Sequence, residues 1–207
     1  MRIYKLYLCA VILTTSNVYS QKVLPNTLVG KKELAISGSF TGSNYSEIAL
    51  PELTYRWPVS KKMKIGGGAK LFWGGLNTPD YTHFNIYPAL FADAVRFIGS
   101  RQKWSVNLQF GYEFYKDRPA DYHGYDPTGA YIVTNNFLKA GFYSNIGIYH
   151  RAILSSRVQF VSGAFLSTQH TTLTYLFTNS MGITSNTHRQ MNLGGGIKIG
   201  LVMGLGK

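Results

Sequence analysis

From Trp104 to Tyr115 the chain alternates strictly. Trp104, Val106, Leu108, Phe110, Tyr112 and Phe114 fall on one face, and Ser105, Asn107, Gln109, Gly111, Glu113 and Tyr115 on the other. A period of two is the repeat of a β-strand with one apolar and one polar face. Twelve residues exceeds the usual strand of about five or six.

Three further segments repeat the pattern. In Met63 to Trp73, Met63, Ile65, Ala69, Leu71 and Trp73 oppose Lys64, Gly66, Gly68, Lys70 and Phe72. In Leu138 to Ile148, Leu138, Ala140, Phe142, Ile146 and Ile148 oppose Lys139, Gly141, Tyr143, Asn145 and Gly147. In Met191 to Leu205 the apolar set Met191, Leu193, Ile197, Ile199, Leu201, Met203 and Leu205 alternates with a face of mostly glycine that carries Lys198. Glycine on an inner face suits a narrow interior filled from the opposite wall.

Four weaker segments complete a set of eight. Glu33 to Thr41 sets Leu34, Ile36 and Phe40 against Glu33, Ser37, Ser39 and Thr41. Ser46 to Trp57 sets Leu53, Tyr55 and Trp57 against Glu52, Thr54 and Arg56. Ile48 and Leu50 are out of phase with that set, which predicts a bulge near Pro51. Arg157 to Thr168 places Val158, Phe160, Ala164 and Leu166 outward. Phe84 to Phe97 has no clear phase.

The connections alternate in length. Pro58 to Lys61, Ile98 to Lys103 and Arg151 to Ser156 are short. Gly74 to His83, Lys116 to Ala130 and Thr171 to Arg189 are long, and only Gly42 to Tyr45 breaks the trend. Short turns on one side and long loops on the other is the habit of transmembrane barrels. Aromatic residues gather near predicted strand ends, at Tyr55, Trp57, Phe72, Trp73, Phe84, Tyr87, Phe97, Trp104, Phe114, Tyr115 and Tyr131, as at a lipid–water boundary. The expected fold is all-β: an eight-stranded antiparallel transmembrane β-barrel in up-and-down meander order.

The first twenty residues read as a signal peptide. Arg2 and Lys5 form a basic start, Leu6 to Leu13 an apolar run too short to span a bilayer, and Ser20 precedes the expected cut before Gln21. The barrel domain is then residues 21–207. Cys9 sits in the apolar core of the leader, too early for a lipid anchor, so the mature chain is expected to carry no cysteine. No later stretch is apolar enough for a membrane helix. The expected location is the outer membrane, after signal-peptide-dependent export.

Composition agrees. Hydrophobic residues make up 45% of the chain and charged ones only 14%, against about a quarter in ordinary soluble domains. The formal charge of +12 is scattered, with no run of four bases, so no nucleic-acid partner is expected.

This pattern resembles the small eight-stranded outer-membrane barrels of the OmpA-transmembrane and OmpX-like type, over nearly the whole chain from Glu33 to Lys207. The resemblance rests on architecture and not on a diagnostic motif. Many such barrels end on an aromatic residue; this chain ends Leu205-Gly206-Lys207. The resemblance implies outer-membrane lipid and lipopolysaccharide as surroundings.

Candidate chemistry lies in two places. The inner faces are expected to carry Glu52, Arg56, Lys64, Lys70, Glu113, Lys139, Arg157 and Lys198 as a lumen charge network. Salt bridges there would plug and stiffen the barrel. Six bases against two acids would instead make an open lumen prefer anions. The second place is the long loops. Asp117, Arg118, Asp121, Tyr122, His123, Tyr125 and Asp126 form a mixture suited to recognition. Leu173, Tyr175 and Phe177 alternate, which predicts a hairpin continuing past the membrane with an edge able to pair with a protein partner.

Two other chemistries fit the residues less well. Lipid A acyl-chain enzymes on this scaffold would use a His and Ser pair, but Ser167 and His170 lack that spacing, and His188, Asp80 and His83 add no partner. Asp117, Asp121, His123 and Asp126 could face a hard cation, but such loops are ordinarily just solvated. No catalytic residue, metal or cofactor is expected. The function expected is a structural or partner-binding role through the long loops, with a narrow anion-preferring pore and a lipid A-modifying enzyme as alternatives.

Overall fold

The alternation along the sequence becomes a wall with two chemically different sides. The structure is a computed structural model that describes residues 28, 30–42, 45–78, 81–82, 85–99, 101–114, 120–125, 131–179 and 182–206. Its strands are β1 (Lys32–Gly42), β2 (Tyr45–Ser60), β3 (Met63–Thr78), β4 (Tyr81–Thr82), β5 (Asn85–Ile98), β6 (Trp104–Glu113), β7 (Ala120–Tyr125), β8 (Tyr131–Ile153), β9 (Val158–Asn179) and β10 (Gly182–Leu205). Among the described residues no helix is long and apolar enough to cross a membrane.

Eight of these strands close into a barrel in the order β1-β2-β3-β5-β6-β8-β9-β10, and β10 pairs back onto β1. Every neighbouring pair is antiparallel. Closure leaves the wall no free edge and satisfies its backbone donors and acceptors internally. The two short strands are additions, with β4 paired to β3 and β7 to β8. All eight expected segments are therefore strands of one barrel, in meander order.

The turn at residues 61–62, the turns after Ile98 and Ile153, and both ends of the barrel sequence lie at one end, the turn end. The loop end is uneven. The strands β8, β9 and β10 run for 23, 22 and 24 residues, and β7 lies along β8 from Ala120 opposite Asn136 to Tyr125 opposite Tyr131. Strand β10 pairs with β1 only from Gly195 to Leu205. From Gly182 to Gly194 its partner among the described residues is β9 alone. A four-stranded sheet, β7-β8-β9-β10, thus rises beyond the rim on one side.

The expected bulge is present. Ser37 pairs with Glu52 and Ser39 with Ala49, so Leu50 and Pro51 together stand opposite the single Gly38, one residue too many, and the β3 side shifts at the same place. Proline has no N–H to give to a ladder. The shift restores phase: Ile48 and Leu50 face out like Leu53, Tyr55 and Trp57, while Ala49 and Glu52 are both buried.

The structure also settles the phase of β5. Tyr87, Ala89, Phe91, Asp93, Val95 and Phe97 are buried inside the barrel, and Ile86, Leu90 and Ile98 face out. Three residues expected in the aromatic belt, Phe72, Tyr87 and Phe97, are instead lumen filling. Tyr55, Trp57, Trp73, Trp104 and Phe114 do face outward. The remaining belt candidates, Phe84, Tyr115 and the Tyr131 side chain, lie outside what the structure describes.

Large inner side chains fit because glycines stand across from them. Phe91 is opposite Gly68 on β3 and Gly111 on β6. Phe165 lies between Gly147 and Gly196. A Cβ on Gly68 would come within 2.7 Å of the Phe91 ring, and one on Gly196 within 2.5 Å of the Phe165 ring.

Candidate functional site

Inside the wall, polar and charged groups take the place of an apolar core. Glu33, Glu52, Asp93 and Glu113 are buried there with Arg56, Lys64, Lys70, Arg151 and Lys198. The short inner radius brings residues far apart in sequence within contact, so nearly every charge meets an opposite one.

At the turn end the hub is Glu33. It accepts from Lys64 Nζ at 2.6 Å and from the Arg151 guanidinium at 2.8 and 3.4 Å, and Arg56 stands 3.9 Å away. Lys64 also donates to the backbone carbonyls of Leu28 at 2.7 Å and Lys31 at 2.9 Å. Those bonds hold the turn before β1 across the barrel end. Leu28 is fully buried there against Ala35, Val202 and Val161. Gly204 leaves it room, since a side chain on Gly204 would overlap Leu28. Arg151 and Lys64 both lie over the Phe97 ring, at 4.6 and 5.6 Å.

Midway, Arg56 grips Asp93 through Nε to Oδ1 at 3.0 Å and Nη2 to Oδ2 at 2.6 Å, a forked pair. Asn107 adds a bond to Asp93 at 3.3 Å. Glu52 pairs with Lys198 and accepts from Gln109 at 3.0 Å. Toward the loop end, Gln169 donates to Glu113 at 2.5 Å. Lys70 Nζ lies 4.0 Å from the Tyr143 ring and 4.5 Å from that of Phe72, a cation against aromatic faces.

No protein-family model and no curated protein matches this sequence.

Six of the residues expected in the lumen network are buried in it: Glu52, Arg56, Lys64, Lys70, Glu113 and Lys198. Lys139 lies on β8 opposite Thr172, and its side chain is outside the described residues. Arg157 is a correction. It has the inward parity, but β9 begins one residue later, so Arg157 falls in the exposed turn after Ile153. Three lumen charges were not in the expected network: Glu33, Asp93 and Arg151. The sequence pattern places Arg151 at the start of a turn, whereas β8 continues to Ile153. The balance inside is therefore five bases to four acids among the described residues, not six to two.

The loop candidates are partly strand. Asp121, Tyr122, His123 and Tyr125 lie on β7. Asp117, Arg118 and Asp126 fall outside the described residues. Tyr175 and Phe177 lie on β9 opposite Asn186 and Thr184 of β10, so the expected hairpin is formed. His170 is exposed on the outer face, while Ser167 shares the inward parity of buried Phe165 and Gln169. The wall separates the two, and they cannot act as one nucleophile–base pair.

Proposed function

We propose that this protein is an outer-membrane β-barrel, exported through its signal peptide, with a structural or partner-binding role carried by the sheet that rises beyond its rim. One observation carries the membrane part. Polarity is inverted relative to a water-soluble barrel: charges are buried inside, while Leu193, Phe142 and Leu166 are 70%, 69% and 67% exposed on the outside. A continuous apolar exterior of that kind is costly in water and favourable in lipid. On β10 the outward apolar residues run from Leu193 to Leu205, on the order of 40 Å of strand, or roughly 30 Å along the axis at the usual tilt. That length matches a hydrocarbon core of about 30 Å. Outer-membrane lipid and lipopolysaccharide are then its surroundings.

The filled interior favours a closed barrel over the pore. Paired charges and aromatic rings occupy the lumen, and an excess of one base among the described groups removes most of the case for an anion channel. The outer sheet supports partner binding because, among the described residues, β10 from Gly182 to Gly194 ladders with β9 on one side and with no strand on the other, an edge of the kind to which extended segments add.

Single-channel recording tests this reading. The folded protein in a planar bilayer is expected to be silent, while the same preparation fractionates with outer membranes. Steady ion-selective steps would overturn the closed barrel, and recovery in the soluble fraction would overturn the membrane assignment.

A further inference from the structure

Between the Glu33 and Glu52 clusters lies a cavity of about 20 Å³, room for roughly one water-sized occupant. Its lining includes Arg56, Arg151, Lys198, Ser37, Asn107 and Tyr149, and it includes no carboxylate. Three cationic side chains thus border it, each paired with an acid, Asp93, Glu33 or Glu52, that is not part of the lining.

The wider count has the same sign. The turn-end and middle clusters hold Glu33, Glu52 and Asp93 against Arg56, Lys64, Arg151 and Lys198. Among the described residues one positive charge is left over in a buried space, which is expensive unless something offsets it. Glu33 already serves two close cations, Lys64 and Arg151. Arg151 spends Nη1 and Nη2 on Glu33 and Gln159. Its Nε–H is buried with no hydrogen-bond acceptor, and the Ser37 hydroxyl beside the same cavity is also without a partner. Both residues are over nine-tenths buried, at 3% and 7% exposure.

We infer that this cavity is a binding site for a small monovalent anion of chloride size, held by Arg151 Nε–H and the Ser37 hydroxyl and balanced by the excess charge of the lumen. The competing occupant is a water, which could also donate to Asn107 Oδ1, the unpartnered acceptor on the same wall. Charge decides for the anion: a neutral molecule would leave the surplus uncompensated. The inference concerns the lumen alone and does not depend on the proposed partner or location.

Crystals of the folded protein soaked in bromide give the test, read by anomalous diffraction at the bromine edge. The expected result is a peak in the cavity within about 3.5 Å of Arg151 Nε and Ser37 Oγ. Ordered density there without anomalous signal, or no density, overturns the proposal. An Asn107→Asp variant would put a carboxylate in the lining and should abolish the peak; a peak that persists overturns the charge argument. In solution, the unfolding midpoint should rise when sodium gluconate is replaced by sodium chloride at equal ionic strength. Equal midpoints in the two salts would count against the site.

Discussion

Glu33→Gln removes one charge and almost no volume from the most crowded point of the lumen. Glu33 is fully buried and accepts from Lys64 at 2.6 Å and from Arg151 at 2.8 Å, with Arg56 at 3.9 Å. Glutamine retains one acceptor oxygen but turns an amide N–H₂ toward a cation. Lys64 and Arg151 would then lie buried without a counter-charge. Breaking a buried pair from one side costs about 3–5 kcal/mol. A unit charge at ~4 Å contributes about 4 kcal/mol at an effective dielectric of ~20, which agrees without adding the pairs together. Folded domains hold only about 5–15 kcal/mol in all, so the loss is a large share. Urea unfolding in lipid vesicles, followed through tryptophan fluorescence at Trp57, Trp73 and Trp104, reads it as a lower midpoint at unchanged slope. Adding Lys64→Met should recover part of the loss, because one stranded cation goes with its partner. A Glu33→Gln unfolding free energy within about 1 kcal/mol of the parent's would refute the reasoning: the lumen would be hydrated enough to screen its charges like a surface.

Other expectations follow from the same geometry. Ile199 is 56% exposed on the outer face of β10; Ile199→Arg should cost about 2–4 kcal/mol of folding stability in a bilayer if it lies near mid-depth, and no loss would count against the lipid-facing assignment. Gly66→Val should block folding or cost at least about 1–3 kcal/mol, because a Cβ there meets the Tyr55 carbonyl and comes within 2.9 Å of Arg56 Cα; a normal refolding yield would show that the wall yields. The double change Arg56→Met with Asp93→Leu should unfold closer to the parent than Asp93→Leu alone, since a paired replacement strands less charge; equal midpoints would mean the two groups are not coupled. Replacing residues 174–187 by Asn-Gly should leave the barrel folded within about 1 kcal/mol, because those pairs lie beyond the closed wall; loss of the folded form would make the outer sheet part of the barrel's stability.

The wall was legible because its outer face repeats every second residue. The lumen was legible only where the inner face is polar or glycine, as on β3, β6 and β10. Strand β5 hid its phase for a physical reason: Tyr87, Phe91 and Phe97 fill the interior while Ile86, Leu90 and Ile98 cover the exterior. Hydrophobicity does not separate two apolar faces, so alternation alone does not place Asp93 inside. A signal was present in the glycines, since Gly68 and Gly111 both stand opposite Phe91. Arg157 and Arg151 exchanged places for a simpler reason. Both have inward parity, and what distinguishes them is where a strand stops, which alternation does not mark. The outer sheet was visible at Leu173, Tyr175 and Phe177, but the pairing of β7 with β8 depends on contacts no local pattern encodes.

The one-sided rim has a consequence for how anything could dock. An extended segment joining β10 between Gly182 and Gly194 would stand above the low parapet formed by β1 and β2, displaced from the barrel axis. It would approach tangentially, like a board laid against a half-built fence. Such a partner would lean over the neighbouring surface and leave the mouth uncovered, so attachment there would govern the spacing between molecules and not the passage through any one of them.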